Sequence, residues 1–316
     1  MGVLLLAVLG GCAVPVAGAP VAAPAPGNTT APPTTAAPSP TAPPPTAPSP
    51  TATAPACPDT GWSCAQQARF AAVAQRIAQL KAPNGYLGIV VRDRATGLTW
   101  QAGDTTHEGW TASTIKLAIA TDLLVRDRSG AITLSAADRH DMDTMLNFSD
   151  EAASDRLWDR YGDDAMLARF RSVFGMSGLE FVPGFTKGTY WGFVKCTTTD
   201  LAALAGYVLG RTAPADRAYL VKALRGVAEN QQWGVWAAGD AGNKDGWSFE
   251  QDSYGKHWVL DSVGFTGPGE RYVVAIMDQV PPSGSEADGV HAVSDLAALA
   301  FGKSVPAKVT VPEPDG

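Results

Sequence analysis

Ser113 and Lys116 stand three residues apart at the head of an apolar, helix-like run from Leu117 to Val125. Three residues make about one helical turn, so the two side chains share a face. A lysine that has lost its proton can take one from a serine hydroxyl, and the free N–H groups at a helix start can hold the oxyanion that serine attack creates. The segment thus supplies a nucleophile, a base and half of an oxyanion hole. The pattern is common by itself: Ser253 and Lys256 repeat it in a polar, glycine-containing stretch that reads as a loop. What sets Ser113 apart is the company it keeps along the chain.

Ser149-Asp150-Glu151 opens a second helical run, Ala152 to Trp158. Lys244-Asp245-Gly246-Trp247 precedes a strand-like run from His257 to Phe265. A Gly267-Pro268-Gly269 turn and a strand from Arg271 to Met277 follow, and His291 to Phe301 reads as a closing helix. Upstream, Phe70, Val73, Ile77 and Leu80 recur at helical spacing within Ala65–Leu80. Tyr86 to Val91 and Leu98 to Ala102 read as strands joined by a turn through Ala95-Thr96-Gly97. From Ser113 to about Trp236 the signal is helical, with starts at Ser135, Asp163, Thr199 and Pro214. Strand signals return between Asn243 and Asp278. Strands at both ends with helices between them predict an α+β fold: an antiparallel sheet flanked by N- and C-terminal helices, beside an all-helical lobe. Ser113 then falls where sheet and lobe meet, a favoured place for a cleft.

Ser-x-x-Lys, then Ser-Asp-x, then Lys-x-Gly on a strand, then a hairpin and a terminal helix: in this order the chain resembles the penicillin-recognising serine hydrolases. Within them it is most similar to the class A β-lactamase-like lipoproteins of actinobacteria, over roughly Ala65 to Gly302. The resemblance implies an acylated nucleophile at Ser113, a proton acceptor at Lys116 and a proton relay to the leaving nitrogen at Ser149. It makes Lys244 the positive charge that keeps Lys116 neutral, and the backbone N–H groups of Ser113 and Trp247 the oxyanion hole. Glu151, Asp245 and Gly246 fall at substrate-binding positions.

Three departures qualify this. Glu151 replaces the family's Asn; an ionised carboxylate only accepts hydrogen bonds, and beside Lys116 it favours the ammonium form. Asp245 replaces a Thr or Ser that helps hold the β-lactam carboxylate, and by strand alternation it shares a face with Trp247, so the two are expected to charge and crowd the cleft. Penicillin-like ligands are expected to bind poorly. Class A enzymes carry Glu-x-x-Leu-Asn to activate the deacylating water, but the corresponding stretch, Gly178 to Thr199, holds only Glu180, followed by Phe181-Val182-Pro183. Plainer readings exist for the same residues: Asp150 and Glu151 suit the first turn of a helix, and Asp240 to Gly246 suits a turn. The expected function is a surface-anchored serine hydrolase or acyltransferase acting through acyl-Ser113 on a cell-wall-related amide or ester. A binding lipoprotein that keeps the fold without the chemistry is the alternative, with true β-lactamase activity ranked last.

Residues 1–12 read as an apolar signal segment ending in a lipobox, Leu9-Gly10-Gly11-Cys12, with Cys12 as the lipidated residue; plain secretion with cleavage near Ala19 is the competing reading. No Lys or Arg precedes that run, which suggests a start further upstream. Residues 13–56 are almost wholly Pro, Ala, Thr and Ser, a composition expected to stay extended and disordered. The folded domain is expected over 57–305, with a disordered tail at 306–316. Cys57 and Cys64 bracket a short loop that a disulfide could close, and Cys196 is left as a buried thiol or as the partner of Cys64. The net charge of −7, from 24 basic and 31 acidic residues, gives no electrostatic reason to hold nucleic acid. The chemistry needs no cofactor, and no Cys-x-x-Cys or His cluster signals a metal. Expected partners are a small-molecule or peptidoglycan-related substrate and the extracytoplasmic face of the cell membrane, reached through the lipid anchor alone.

Overall fold

The computed structural model describes residues 57–80, 85–183 and 189–313. The chain divides into residues 1–54 and 55–316, and all described residues belong to the second unit. The signal segment, Cys12 and the Pro-rich segment lie outside the described residues.

Helix α1 (Cys64–Leu80) leads into strands β1 (Tyr86–Asp93) and β2 (Thr99–Gly103), turned at Gly97, whose φ of +77° suits glycine. After β3 (Gly109–Trp110) come α2 (Ile115–Arg128), α3 (Ala136–Asn147), α4 (Glu151–Tyr161) and α5 (Asp164–Ser172). Strands β4 (Glu180–Phe181) and β5 (Val194–Cys196) precede α6 (Thr198–Gly210) and α7 (Pro214–Arg225). Strands β6 (Ala241–Asp252), β7 (Gly255–Thr266) and β8 (Tyr272–Gln279) lead to α8 (Glu286–Ala300). The main sheet is antiparallel in the order β2-β1-β8-β7-β6, with β6 on an edge.

The sheet separates two apolar layers, and strand alternation assigns its side chains to them. On β8, Val274 and Ile276 pack with Phe70, Val73 and Ile77 of α1 and Val290, Val293 and Leu296 of α8. Val273, Ala275 and Met277 face the other way, toward α2, α3 and α6. Helix α2 is buried on every side from Ile115 to Leu124, as befits an apolar helix at the centre of a lobe.

Local capping chemistry placed several helices as expected. Ser135 forms a capping box with Asp138, Asp163 caps α5, and Pro214 opens α7. Helix α6 starts slightly earlier than expected, because Thr197 forms the capping box with Asp200. Helix α8 starts five residues before His291, on a Ser285–Asp288 capping box. The helical lobe also carries a small sheet, β3-β5-β4, that the sequence reading missed. Its strands are two or three residues long and exist through pairings such as Trp110 with Lys195. Cys57 and Cys64 form a disulfide, and Cys196 is a free buried thiol. Beyond residue 305 the chain, expected to trail away, lies on the domain: Ala307 N–H donates to Asp295 at 2.8 Å, and Val309 and Val311 pack against the α1–α8 layer.

Candidate active site

Ser113 lies half-buried in a 3-10 turn, Ala112–Thr114, that runs directly into α2. The edge strand β6 packs on this turn. A Cβ on Gly246 would stand 2.7 Å from Ser113 N, 2.8 Å from Thr114 N and 3.0 Å from Thr111 O, so only glycine allows this approach. That gives Gly246 a packing role against the Ser113 turn. An edge strand leaves alternate backbone groups without a strand partner beside the Ser113 turn.

Lys116 and Lys244 converge on Ser149. Lys116 Nζ donates to Ser149 O at 2.6 Å and to Ser149 Oγ at 3.2 Å. Lys244 Nζ meets Ser149 Oγ at 2.9 Å and Asp245 O at 2.8 Å, and also donates to Gln231 Oε1. Both lysines have no exposed surface, and Ser149 is 8% exposed. The backbone is strained on both sides of the cluster: Ala112 has φ +41° and Ser149 φ +61°. Such conformations cost about 1–3 kcal/mol each and persist only where surrounding packing imposes them.

Burial in the apolar lobe lowers the Lys116 pKa to about 8, against the opposing pull of Glu151, Asp150 and Asp155. The Glu151 carboxylate acts in the direction expected, but desolvation outweighs it. The Trp191 ring lies 4.6 Å from Lys116 Nζ, and its indole N–H donates to Asp155 at 2.9 Å. Lys244 is held well below its ordinary value, first by burial and then by the charge on Lys116, with Asp245 opposing. Repulsion between the two buried amines is mutual, so each disfavours the charged form of the other.

Asp245 requires a correction. Register places Lys244 opposite Val263, on the lobe side, and Asp245 opposite Ser262. Asp245 and Trp247 do share a face, but it is the α1–α8 face, where Asp245 accepts a 2.5 Å hydrogen bond from Ser262 Oγ and Trp247 packs near Trp233. Both side chains lie on the face of β6 opposite to Lys244. Burial pushes the Asp245 carboxyl up to about 8. Asp150 caps α4 by accepting from Ala153 N–H at 2.6 Å, the plainer of its two readings, whereas Glu151 is exposed two residues from Ser149. Ser253 lies in the β6–β7 hairpin turn and Lys256 on β7, so the second Ser-x-x-Lys carries no nucleophile helix. In the stretch compared with the class A deacylation loop, Glu180 opens the two-residue strand β4 and is exposed; residues 184–188 lie outside the described residues. Sequence reasoning missed Gln231, a fully buried neutral residue that no motif marks.

The arrangement defines a β-lactamase-type fold with two buried amines and a serine between its sheet and its helical lobe. Its solved counterparts are class A β-lactamases. The enzyme of the last common ancestor of Gram-negative bacteria superposes with a TM-score of 0.58 at 20% identity, covering 73% of this chain and 98% of that one. The β-lactamase of Sphaerobacter thermophilus does so with 0.58 at 21%, covering 73% and 96%. At such identities the likeness is one of fold. In sequence the chain is similar to LppW of Mycobacterium tuberculosis and Mycobacterium bovis, named as a lipoprotein, at 29% identity over 223 residues, 66% of this chain and 68% of the relative. No family model matches the chain.

Proposed function

We propose that the protein is an envelope-anchored serine hydrolase or acyltransferase that works through acyl-Ser113 on an amide or ester related to the cell wall. The observation that carries this reading is the meeting of two fully buried lysines on Ser149, beside the Ser113 turn. Ser113 Oγ bonds to the substrate carbonyl carbon while its proton passes to neutral Lys116. The oxyanion is held by backbone N–H groups of Ser113 and Trp247. As the adduct collapses, the leaving nitrogen or oxygen takes a proton from Ser149 Oγ, which Lys116 replaces across their 3.2 Å contact. Water or a second nucleophile then attacks the acyl carbon and frees Ser113.

Anchoring through Cys12 rests on the lipobox and on the lipoprotein name of the mycobacterial relatives. No helix among the described residues is long and apolar enough to cross a membrane. The exposed carboxylate of Glu151 disfavours anionic penicillin-like substrates, and no Glu-x-x-Leu-Asn supports rapid deacylation, so acyl transfer or slow hydrolysis fits better than β-lactamase turnover.

The test is to treat the full chain and its Ser113→Ala variant with a fluorophosphonate and a fluorescent penicillin. Labelling by fluorophosphonate that disappears in Ser113→Ala is expected. Absence of label on folded wild-type protein would favour a binding protein that has kept only the fold, and fast nitrocefin hydrolysis would restore the β-lactamase reading.

A further inference from the structure

Gln231 lies at the end of a 3-10 turn, Glu229–Gln231, and has no exposed surface. Its Nε2 donates to Asn147 O at 2.7 Å and to Leu146 O at 3.3 Å, the carbonyl end of α3 just before Ser149. Because two carbonyls face one end of the amide, the other end must be its oxygen, and that oxygen accepts from Lys244 Nζ. The main chain of Gln231 is tied to the same two elements. Its carbonyl accepts from the side chain of Asn243, the residue before Lys244, at 2.9 Å. Its N–H donates to Ala228 O, and Ala228 N–H in turn donates to Asn147 O, each at 2.9 Å. One neutral side chain thus bridges the segment that carries Ser149 and the strand that carries Lys244.

The partners of Lys244 are unequal. Gln231 Oε1 and Asp245 O can only accept, whereas Ser149 Oγ can accept or donate. A neutral amine has two N–H groups and one lone pair. The two carbonyls occupy the N–H groups, which leaves the lone pair for the Ser149 hydroxyl. A carboxylate in place of the Gln231 amide would hold the amine as an ammonium ion and remove that lone pair.

We propose that Gln231 is a positioning residue that fixes the Lys244 amine against Ser149 Oγ without supplying negative charge, so that Lys244 can exchange a proton with Ser149. A proton passed from Lys116 to Ser149 Oγ displaces Ser149's own proton onto Lys244 Nζ, and it returns through the same oxygen when the leaving atom needs it. Proton count and total charge are unchanged across the three side chains. The inference rests on the acyl-Ser113 reading for its purpose, but its geometry is testable separately.

In the full chain, the Lys244 side chain is followed by lysine-selective NMR between pH 5 and 11, assigned with Lys244→Arg. Gln231→Glu is expected to raise the Lys244 midpoint by about one pH unit or more and to move the acid limb of fluorophosphonate labelling in the same direction. Gln231→Met, similar in volume but without an acceptor, is expected to slow labelling about tenfold with no rise in that midpoint. An unchanged Lys244 titration in Gln231→Glu, or wild-type labelling by Gln231→Met, overturns the proposal. If wild-type protein fails to label while Lys244 still responds to Gln231→Glu, the acyl-Ser113 reading falls and the hold of Gln231 on Lys244 stands.

Discussion

At the scale of single residues, the behaviour of the site depends on which groups lie near Lys116 and which only appear to in sequence. Glu151 is the strongest of the carboxylates that favour its ammonium form. Glu151→Asn should therefore move the midpoint of Ser113 labelling below about 8 and raise labelling at pH 7 about two- to tenfold. Fluorescent penicillin should also label this variant more readily, because a charge that repels its carboxylate is gone. Asp245→Thr should give no such gain, since the Asp245 side chain lies on the far face of β6 against Ser262. Equal gains from both substitutions, read by gel fluorescence across pH, would overturn this placement. The sequence made it legible that Asp245 and Trp247 share a face. It could not say which face, because strand alternation fixes relative sidedness and only packing fixes the absolute side. Lys116 was legible from its spacing to Ser113, but Gln231 was not. A lone uncharged amide carries no pattern, and its role emerges only when α3 and β6 are brought together.

Elements position the site through one close backbone approach. Strand β6 reaches the Ser113 turn because Gly246 has no side chain, and a methyl group there meets backbone atoms that cannot rotate away. Gly246→Ala should cost about 2–4 kcal/mol and cut Ser113 labelling at least tenfold, measured by thermal melts and fluorophosphonate kinetics. Gly210→Ala, at the end of α6 with open space around it, serves as the control and should leave both nearly unchanged. Elements whose limits follow from local chemistry were legible: Ser135, Asp163 and Pro214 each mark a start through a cap or a preset φ. Strands β3, β4 and β5 were not. Two or three residues hold too little periodicity, and these strands owe their existence to partners distant in sequence.

On the scale of the whole molecule, three of the carboxyls buried in the sheet, Asp245, Asp261 and Asp278, are pushed above the usual range chiefly by desolvation. A carboxyl whose pKa is higher folded than unfolded binds its proton more tightly in the native state. Its contribution to stability is therefore present at low pH and is lost as pH rises from about 4 toward the folded value. Lys116 opposes this only above about 8, because below that value it is protonated in both states. Lys244 and His107, both lowered first by burial, also oppose it, two groups against three. Thermal stability should accordingly be higher near pH 5 than near pH 8, and Asp261→Asn should flatten the difference. A melting temperature that climbs steadily from pH 5 to 8 would contradict this balance. The two-layer arrangement around an antiparallel sheet was legible from the order of helical and strand signals. The buried acids were not, because sequence alone does not distinguish a solvated aspartate from one enclosed on both sides.

The contact between Gly246 and the Ser113 turn also limits how the surroundings of Ser113 can adapt. Backbone pressed on backbone leaves no slack, so β6 and Ser113 shift as a single body or not at all. Away from the strand, the exposed ring of Phe148 and the start of α4 adjoin Ser149 in the chain. Substitutions meant to loosen the surroundings of Ser113 thus belong on that side, with the strand left untouched.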